Sequence, residues 1–540
     1  MLTHLRPNQS CATIAFLLAI FLAIPVRHLG VGLLQAMAST VPLLLPAVTY
    51  ESGGQSFSVA VADVNGDGKS DLVMTNAGVA EGVIGVLLGR GDGTFRPVVT
   101  YNSGGDVAQS VEVADVNGDG KPDLLVANCG QIGVNICNHS DGFVGVLLGN
   151  GDGTFLPVVT FDSGGSTAVS IAVADLNSDG KPDLLVANEC GTSQDCGRGS
   201  LGVLLGNGDG TFQAAKDYNL GSAINSVVTA DVNGDGKLDV LVGMGGTHDN
   251  VGVLLGNGDG SFQPIVAYDS GGNNTLSVVV ADVNRDGHPD LLVGNQCDMT
   301  SNCADGSVGV LLGNGDGTVR PVVNYGSGGT GVWGLAVADL NGDGNPDLID
   351  ASSFHNTVGA LLGNGDGTFE AIETFSSGGR LPRFVALADL NGDDKPDIAV
   401  ANLCNADDCP SGNVGVLLNN SQFDTKPPLI TLSATPKFLW PANGTMMPVN
   451  VSGTITDAGS GVNARAAAYA VRDEYGKIQP KGTITLDPRG NYSFNIMLRA
   501  SRLGIDKDGR RYTLTVFAND NAGNNRSKIT VVTVPHDQRQ

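Results

Sequence analysis

The chain has little positive charge, no apolar run long enough for a comfortable membrane span, and no motif for nucleophilic catalysis. Each shortage removes a class of function. Its 540 residues carry 30 Lys and Arg against 55 Asp and Glu, a formal net charge of −25. That balance argues against a nucleic-acid partner. The apolar run over residues 12–24 is 13 residues long, too short to span a bilayer easily. With His4 and Arg6 before it and Ala36-Met-Ala38 after it, the run reads as a cleaved secretory signal over residues 1–38. A retained anchor is the alternative. Beyond the signal the histidines are His139, His248, His288, His355 and His536, scattered without a nucleophile. The Gly-rich turns do not precede helices, so they are not phosphate loops. The expectation is a protein that is not an enzyme.

What the chain has is one string, Asp-x-Asn-x-Asp-x-x-x-Asp, seven times over. Position 1 is Asp63, Asp115, Asp175, Asp231, Asp282, Asp339 and Asp389 in turn. Position 3 is Asn65, Asn117, Asn177, Asn233, Asn284, Asn341 and Asn391. Position 5 is Asp67, Asp119, Asp179, Asp235, Asp286, Asp343 and Asp393. Position 9 is Asp71, Asp123, Asp183, Asp239, Asp290, Asp347 and Asp397. Alternate positions on a tight loop aim oxygens at one centre. Position 7 adds a backbone carbonyl, from Lys69, Lys121, Lys181, Lys237, His288, Asn345 and Lys395. Hard oxygen donors in that number suit Ca²⁺. Position 6 is Gly except at Asp394, where the sharp turn is less easily made. A hairpin turn alone accounts for Asn-Gly-Asp-Gly but not for three carboxylates per loop. Two such charges ~5 Å apart repel by roughly 3 kcal/mol at an effective dielectric of 20. The loops hold 21 of the 55 acidic residues, so much of the charge has a structural use.

The copies begin 52, 60, 56, 51, 57 and 50 residues apart, a period that signals a propeller or a solenoid. Each repeat reads as four short strands, with the acidic loop between the first and second. In the second repeat these strands centre on Val111, Leu125, Val146 and Val159. Four strands in each of seven repeats predict an all-β, seven-bladed β-propeller over residues 46–424. The last repeat stops at Asn419-Asn420 without a fourth strand, while Pro46-Ala-Val-Thr-Tyr50 supplies an unclaimed one at the front. The N-terminal strand is therefore expected to complete the last blade and cover an open edge.

The acidic loop together with Leu-Leu-Gly-Asn-Gly-Asp-Gly-Thr-Phe resembles the FG-GAP/VCBS repeats of integrin α-subunit propellers and of many secreted bacterial proteins. The resemblance covers about residues 46–420. It implies calcium between strands one and two on one face. It implies ligands on the opposite face, built by the 2–3 and 4–1 loops.

After Phe423 the repeat stops and Lys426-Pro-Pro428 marks a linker. Residues 428–535 show alternating strands and suggest a β-sandwich. Asp520-Asn-Ala-Gly-Asn524 before the last strand resembles bacterial immunoglobulin-like domains. Asp457 and Asp520 read as turn residues or as a further calcium site. Eight of the nine cysteines fall into local pairs in the 2–3 loops: Cys129/Cys137, Cys190/Cys196, Cys297/Cys303 and Cys404/Cys409. Their repeat-equivalent places select local disulfides, with metal binding as the rival. Both the signal and the disulfides point to a secreted or cell-surface protein.

Just before each inner strand one position varies: Phe57, Gln109, Val169, Asn225, Leu276, Trp333 and Arg383. These are expected to line the rim of the channel. Trp333 and Arg383, with Phe354 and His355 in the same or the next blade, are the candidate ligand contacts. A packed Trp333 is the rival reading. The expected function is an extracellular calcium-binding module that holds a protein or glycan ligand. The alternative is a carbohydrate-active enzyme or its accessory subunit.

Overall fold

The computed structural model describes residues 43–77, 82–130, 141–191, 198–245, 250–298, 305–406, 409, 411–421, 426–457, 462–487, 489–501, 509–520 and 524–536. The signal, His139, His248, Cys137, Cys196 and Cys303 lie outside the described residues. Among those described, every pairing between strands is antiparallel, and the one helical turn is Ser353–His355. The protein is all-β, and residues 43–421 form a repeat β-propeller.

A representative unit pairs Ala223–Ala230, Asp239–Gly245, Asn250–Leu254 and Val266–Asp269 in sequence order. The second strand is buried along its whole length, because sheets pack on both of its faces. The fourth is an exposed edge. First strands of neighbouring units touch one another in a cycle, with Arg380–Ala388 meeting both Val332–Ala338 and Gln55–Ala62. Val159–Ala174 runs unbroken from the outer edge of one unit to the inner edge of the next.

The apolar core lies between units. One layer sets Val73, Ile84 and Val86 of the first unit against Val111, Leu124 and Val126 of the second. Phe of each Gly-Asp-Gly-Thr-Phe turn meets the outer strand of the unit before it edge-on, as in Tyr101–Phe155 with centroids 5.3 Å apart. Backbone bonds repeat the same step. The Gly153 N–H donates to Val64 O, Gly210 to Val116, Gly260 to Leu176, Gly317 to Val232 and Gly367 to Val283. The cycle closes through Gly93 N–H to Leu390 O at 2.9 Å. The last unit has no such turn, and there the Asn419 side-chain amide donates to Leu340 O at 2.8 Å.

Strand Val48–Glu51 pairs with Asn413–Leu417, so the N-terminal strand does complete the last unit. Leu44 just before it is 2% exposed and packs with Leu340, Val385 and Leu417. Tyr50 meets Phe95 with centroids 5.2 Å apart.

Residues 429–534 make two four-stranded sheets around one core that includes Val449, Val451, Leu498, Tyr512, Leu514 and Val532. Asp520 serves the turn reading: Asn524 donates to it through both its backbone and its side-chain amide. The Cys404–Cys409 disulfide is formed, with Cα atoms 4.6 Å apart. Cys129, Cys190 and Cys297 are disulfide-bonded as well.

Candidate functional site

The acidic loops are tight because their backbone folds onto their own carboxylates. In the first loop Gly66 N–H and Asp67 N–H donate to Asp63 Oδ1, at 2.7 and 3.1 Å, and Gly68 N–H donates to Oδ2 at 2.7 Å. Position 6 has a positive φ throughout, +78° at Gly68 and +62° at Asp394, so Asp394 adopts the turn that glycine makes elsewhere.

Position 9 has a role that spacing alone did not reveal. Asp71, Asp123, Asp183, Asp239, Asp290, Asp347 and Asp397 are fully buried. Each spreads its two oxygens over two backbone amides. Asp290 accepts from Val283 N–H at 2.9 Å, inside its own loop, and from Gly313 N–H at 2.8 Å, at the end of the third strand. Asp71 does the same with Val64 and Gly89, and Asp347 with Leu340 and Gly363. The recurring Leu-Leu-Gly was the sequence signal for this joint. Burial raises these carboxyls, and the Asp at positions 1 and 5 raise them further; Asp347 reaches about 7 and Asp397 about 6.

The donor chemistry of the loops fits a hard divalent cation, because every side chain at positions 1, 3, 5 and 9 offers oxygen. The charge arrangement fits too, since the carboxylates of one loop disfavour one another's ionised form. Their oxygens are turned onto amides and not drawn around a point: among the described residues no three His, Cys, Asp or Glu gather closely enough to hold a metal. A carboxylate oxygen that accepts one amide keeps a second lone pair for an ion. Position 7 does more than expose a carbonyl. Lys69 lies 3.8 Å from Asp67, Lys121 3.4 Å from Asp119 and Lys395 3.4 Å from Asp393. Such exposed pairs are screened by solvent and add little to stability.

The variable rim positions share one structural cause. The ladder between first and second strands slips by one residue at the same place in each unit. Ser56 pairs with Asn76 and Ser58 with Thr75, which leaves Phe57 unpaired. Gln109, Val169, Asn225, Leu276, Trp333 and Arg383 are left out in the same way. A bulge re-aims the extra side chain, and here all of them line one cavity of about 750 Å³. The next residue is Ser in most units. Ser170, Ser226 and Ser277 accept from Val227, Val278 and Leu335 of the following unit and tie the inner strands together.

Trp333 and Arg383 stack at this cavity, with the guanidinium 3.7 Å from the indole centroid and 6.0 Å from that of Phe57. Phe354 and His355 are not among the lining side chains. Their turn folds back on the preceding loop, where Phe354 N–H donates to Thr330 O and Thr330 N–H donates to His355 Nδ1. Phe354 is left 57% exposed beside Gly331.

The same unit hides an acid that the sequence reading missed. Asp350 sits where the other units have a buried Met or Val, such as Val293 and Val400, and it is fully buried. Ser352 Oγ donates to it at 2.7 Å. Burial pushes its carboxyl up from 3.8. A raised folded-state pKa means the native state holds this proton longer than the unfolded chain does. Its contribution is full below 3.8 and is lost as pH rises through the raised value. Asp350→Asn is expected to flatten part of the fall in unfolding free energy with pH, measured by urea titration at saturating calcium. An identical slope in the variant would refute the buried neutral acid.

The family pattern described as FG-GAP-like repeat matches residues 63–126, 134–186, 192–242, 231–293, 296–349 and 351–400. No curated protein matches the chain. Among solved structures it is similar to a periplasmic gluconolactonase of Pseudomonas aeruginosa, with 19% identity, 66% of this chain and 96% of that one covered, and a TM-score of 0.43. A candidate 6-phosphogluconolactonase of Bacteroides fragilis gives 14% identity, the same coverages and a TM-score of 0.45. The WD40 domain of Toxoplasma gondii coronin gives 10%, 71% and 89%, and 0.44. Two of these neighbours are described as enzymes, which corrects the expectation of a protein that is not an enzyme. At these identities and scores the likeness assigns no reaction to this chain.

Proposed function

This chain belongs to the family of FG-GAP-like repeat proteins, and from that premise we propose that it is an extracellular, calcium-stabilised propeller that holds a ligand in the funnel formed by its inner-strand bulges. The observation that carries this reading is that one residue per unit leaves the ladder for a common cavity of about 750 Å³. That volume is in the range of small-molecule sites. Those residues differ from unit to unit, while the loops and turns around them repeat. A closed ring of seven four-stranded blades and a C-terminal immunoglobulin-like domain complete the proposed architecture. Secretion is supported by the disulfide-bonded cysteines near the funnel mouth.

In this reading Ca²⁺ is held by positions 1, 3 and 5 of each loop, the position 7 carbonyl and the position 9 carboxylate. Its two positive charges would offset most of the charge of the three carboxylates in each loop. The loops would then clamp the first and second strands of each blade and keep the bulges in register. The ligand is an extracellular protein segment or glycan.

Glycan and matrix-protein arrays probed in calcium would identify ligands. Trp333→Ala is expected to weaken binding of each funnel ligand by about 2 kcal/mol or more while calcium affinity stays constant. Unchanged binding by a folded variant would move the site out of the funnel. Incubating the same ligands with the protein and assaying for product would show whether the funnel also turns them over.

A further inference from the structure

Arg383 is the one cation among the described residues that line the cavity. It is half-buried, and its Nε is shut from water with no acceptor among the described residues. Burial lowers its guanidinium to about 10, with no carboxylate acting against that shift. Stacking on Trp333 at 3.7 Å offsets only part of the cost of removing the charge from water. Two further polar atoms on the same wall are buried without partners among the described residues: Trp333 Nε1 and Thr167 Oγ1, the latter on a residue 4% exposed. Unmade hydrogen bonds at buried polar groups are uncommon in folded proteins, and three of them fall on the wall of this one cavity.

The rest of the wall narrows the partner. Asn225 donates to Asn274 Oδ1 at 3.1 Å and to Thr275 O at 2.8 Å, which fixes its amide and leaves its own Oδ1 as an acceptor. Gln109, Thr167 and the inner-strand serines add amides and hydroxyls. These groups match sugar hydroxyls. Glu189 is the one carboxylate among the described lining residues, and it disfavours a ligand with negative charge all along its length.

We propose that the funnel takes a sugar acid, whose single oxyanion meets the Arg383 guanidinium while its hydroxyls meet the amide and hydroxyl wall. This rests on the reading of the funnel as the binding site. The planar fork of Arg383 suits carboxylate and phosphate oxygens alike. The acid group is then the main source of affinity, and the neutral sugar is the weaker part.

The test uses the full chain in calcium, with Trp440→Phe so that Trp333 is the remaining indole. Cellobiouronate, cellobiose, glucuronate, glucose 6-phosphate and triglutamate are titrated by calorimetry and by Trp333 fluorescence. Cellobiouronate is expected to bind at least tenfold more tightly than cellobiose and to change the Trp333 emission. Arg383→Met should erase that preference, and Arg383→Lys should lose most of it, with melting temperatures showing that both variants fold. Comparing glucuronate with glucose 6-phosphate tells which oxyanion the fork prefers. Equal affinity for acid and neutral sugar, or a preference that survives Arg383→Met, overturns the proposal. Tighter binding of triglutamate replaces the sugar acid with an acidic peptide. If cellobiose binds as well as the acid and Trp333→Ala abolishes both, the funnel stands and only the acid inference fails. If no probe binds, the sugar acid is ruled out. If binding is indifferent to both Trp333 and Arg383, the funnel reading fails too.

Discussion

Chelation is expected to lower the melting temperature of the protein by about 10 °C or more. One site held at 100 times its dissociation constant contributes about 2.7 kcal/mol, and the chain carries seven loops of the same design. The contributions do not simply add, because each loop touches the next unit. The effect is still expected to exceed that of an ordinary surface substitution, since three carboxylates sit in each loop. Loop variants separate the ion from the fold. Asp286→Ala removes an exposed carboxylate at position 5, and its cost should be larger in calcium than in chelator, where only the His288 amide bond and the exposed Arg320 pair are lost. Asp290→Ala removes a buried one and orphans the Val283 and Gly313 amides. Its cost, roughly 2–6 kcal/mol from two unmade buried bonds, should persist in chelator. Superimposable melts with and without calcium would refute the calcium reading, while the position 9 prediction would stand.

Deleting residues 43–51 is expected to be the most damaging change outside the loops. It strips Val48–Glu51 from Asn413–Leu417 and exposes the last unit's third strand as an edge. It removes Leu44, which is 2% exposed, and truncating a buried Leu alone costs about 2–5 kcal/mol. It also takes Tyr50 away from Phe95, across the junction of last and first units. The truncated chain should melt earlier and aggregate faster by light scattering. A milder variant, Leu44→Ala, guards against outright misfolding and should destabilise in the same direction. Full stability in both would rule out the strand as the closure of the ring.

The repeat, the strand order and the completing N-terminal strand were legible because each has a local signature. Periodic Asp and Asn mark the loops, Gly marks the turns, and the missing strand leaves a gap at one end and a surplus at the other. The varying positions could be picked out in the same way, since variation stands out against a repeat. Their place at the channel rim was expected from the repeat, but the bulge that puts them there was not legible. Phe57 and Ser58 are neighbours in sequence and both reach the cavity, yet a one-residue slip takes Phe57 out of the ladder and leaves Ser58 paired with Thr75. The slip belongs to the pairing of the first strand with the second and not to either segment alone.

The sequence also pointed to Phe354 and His355, where the backbone turn instead holds both against the preceding loop. It treated position 9 as one oxygen among several. Only the tertiary structure decided that Asp290 and its equivalents join two parts of the chain some twenty residues apart. By itself the sequence determined what is repeated, because repetition is local chemistry written many times. The pairing of Arg383 with Trp333, the Thr167 hydroxyl left without a partner among the described residues and the buried Asp350 depend on which units become neighbours around the ring. That is a property of closure, and closure is set by contacts between residues hundreds of positions apart, such as Gly93 with Leu390.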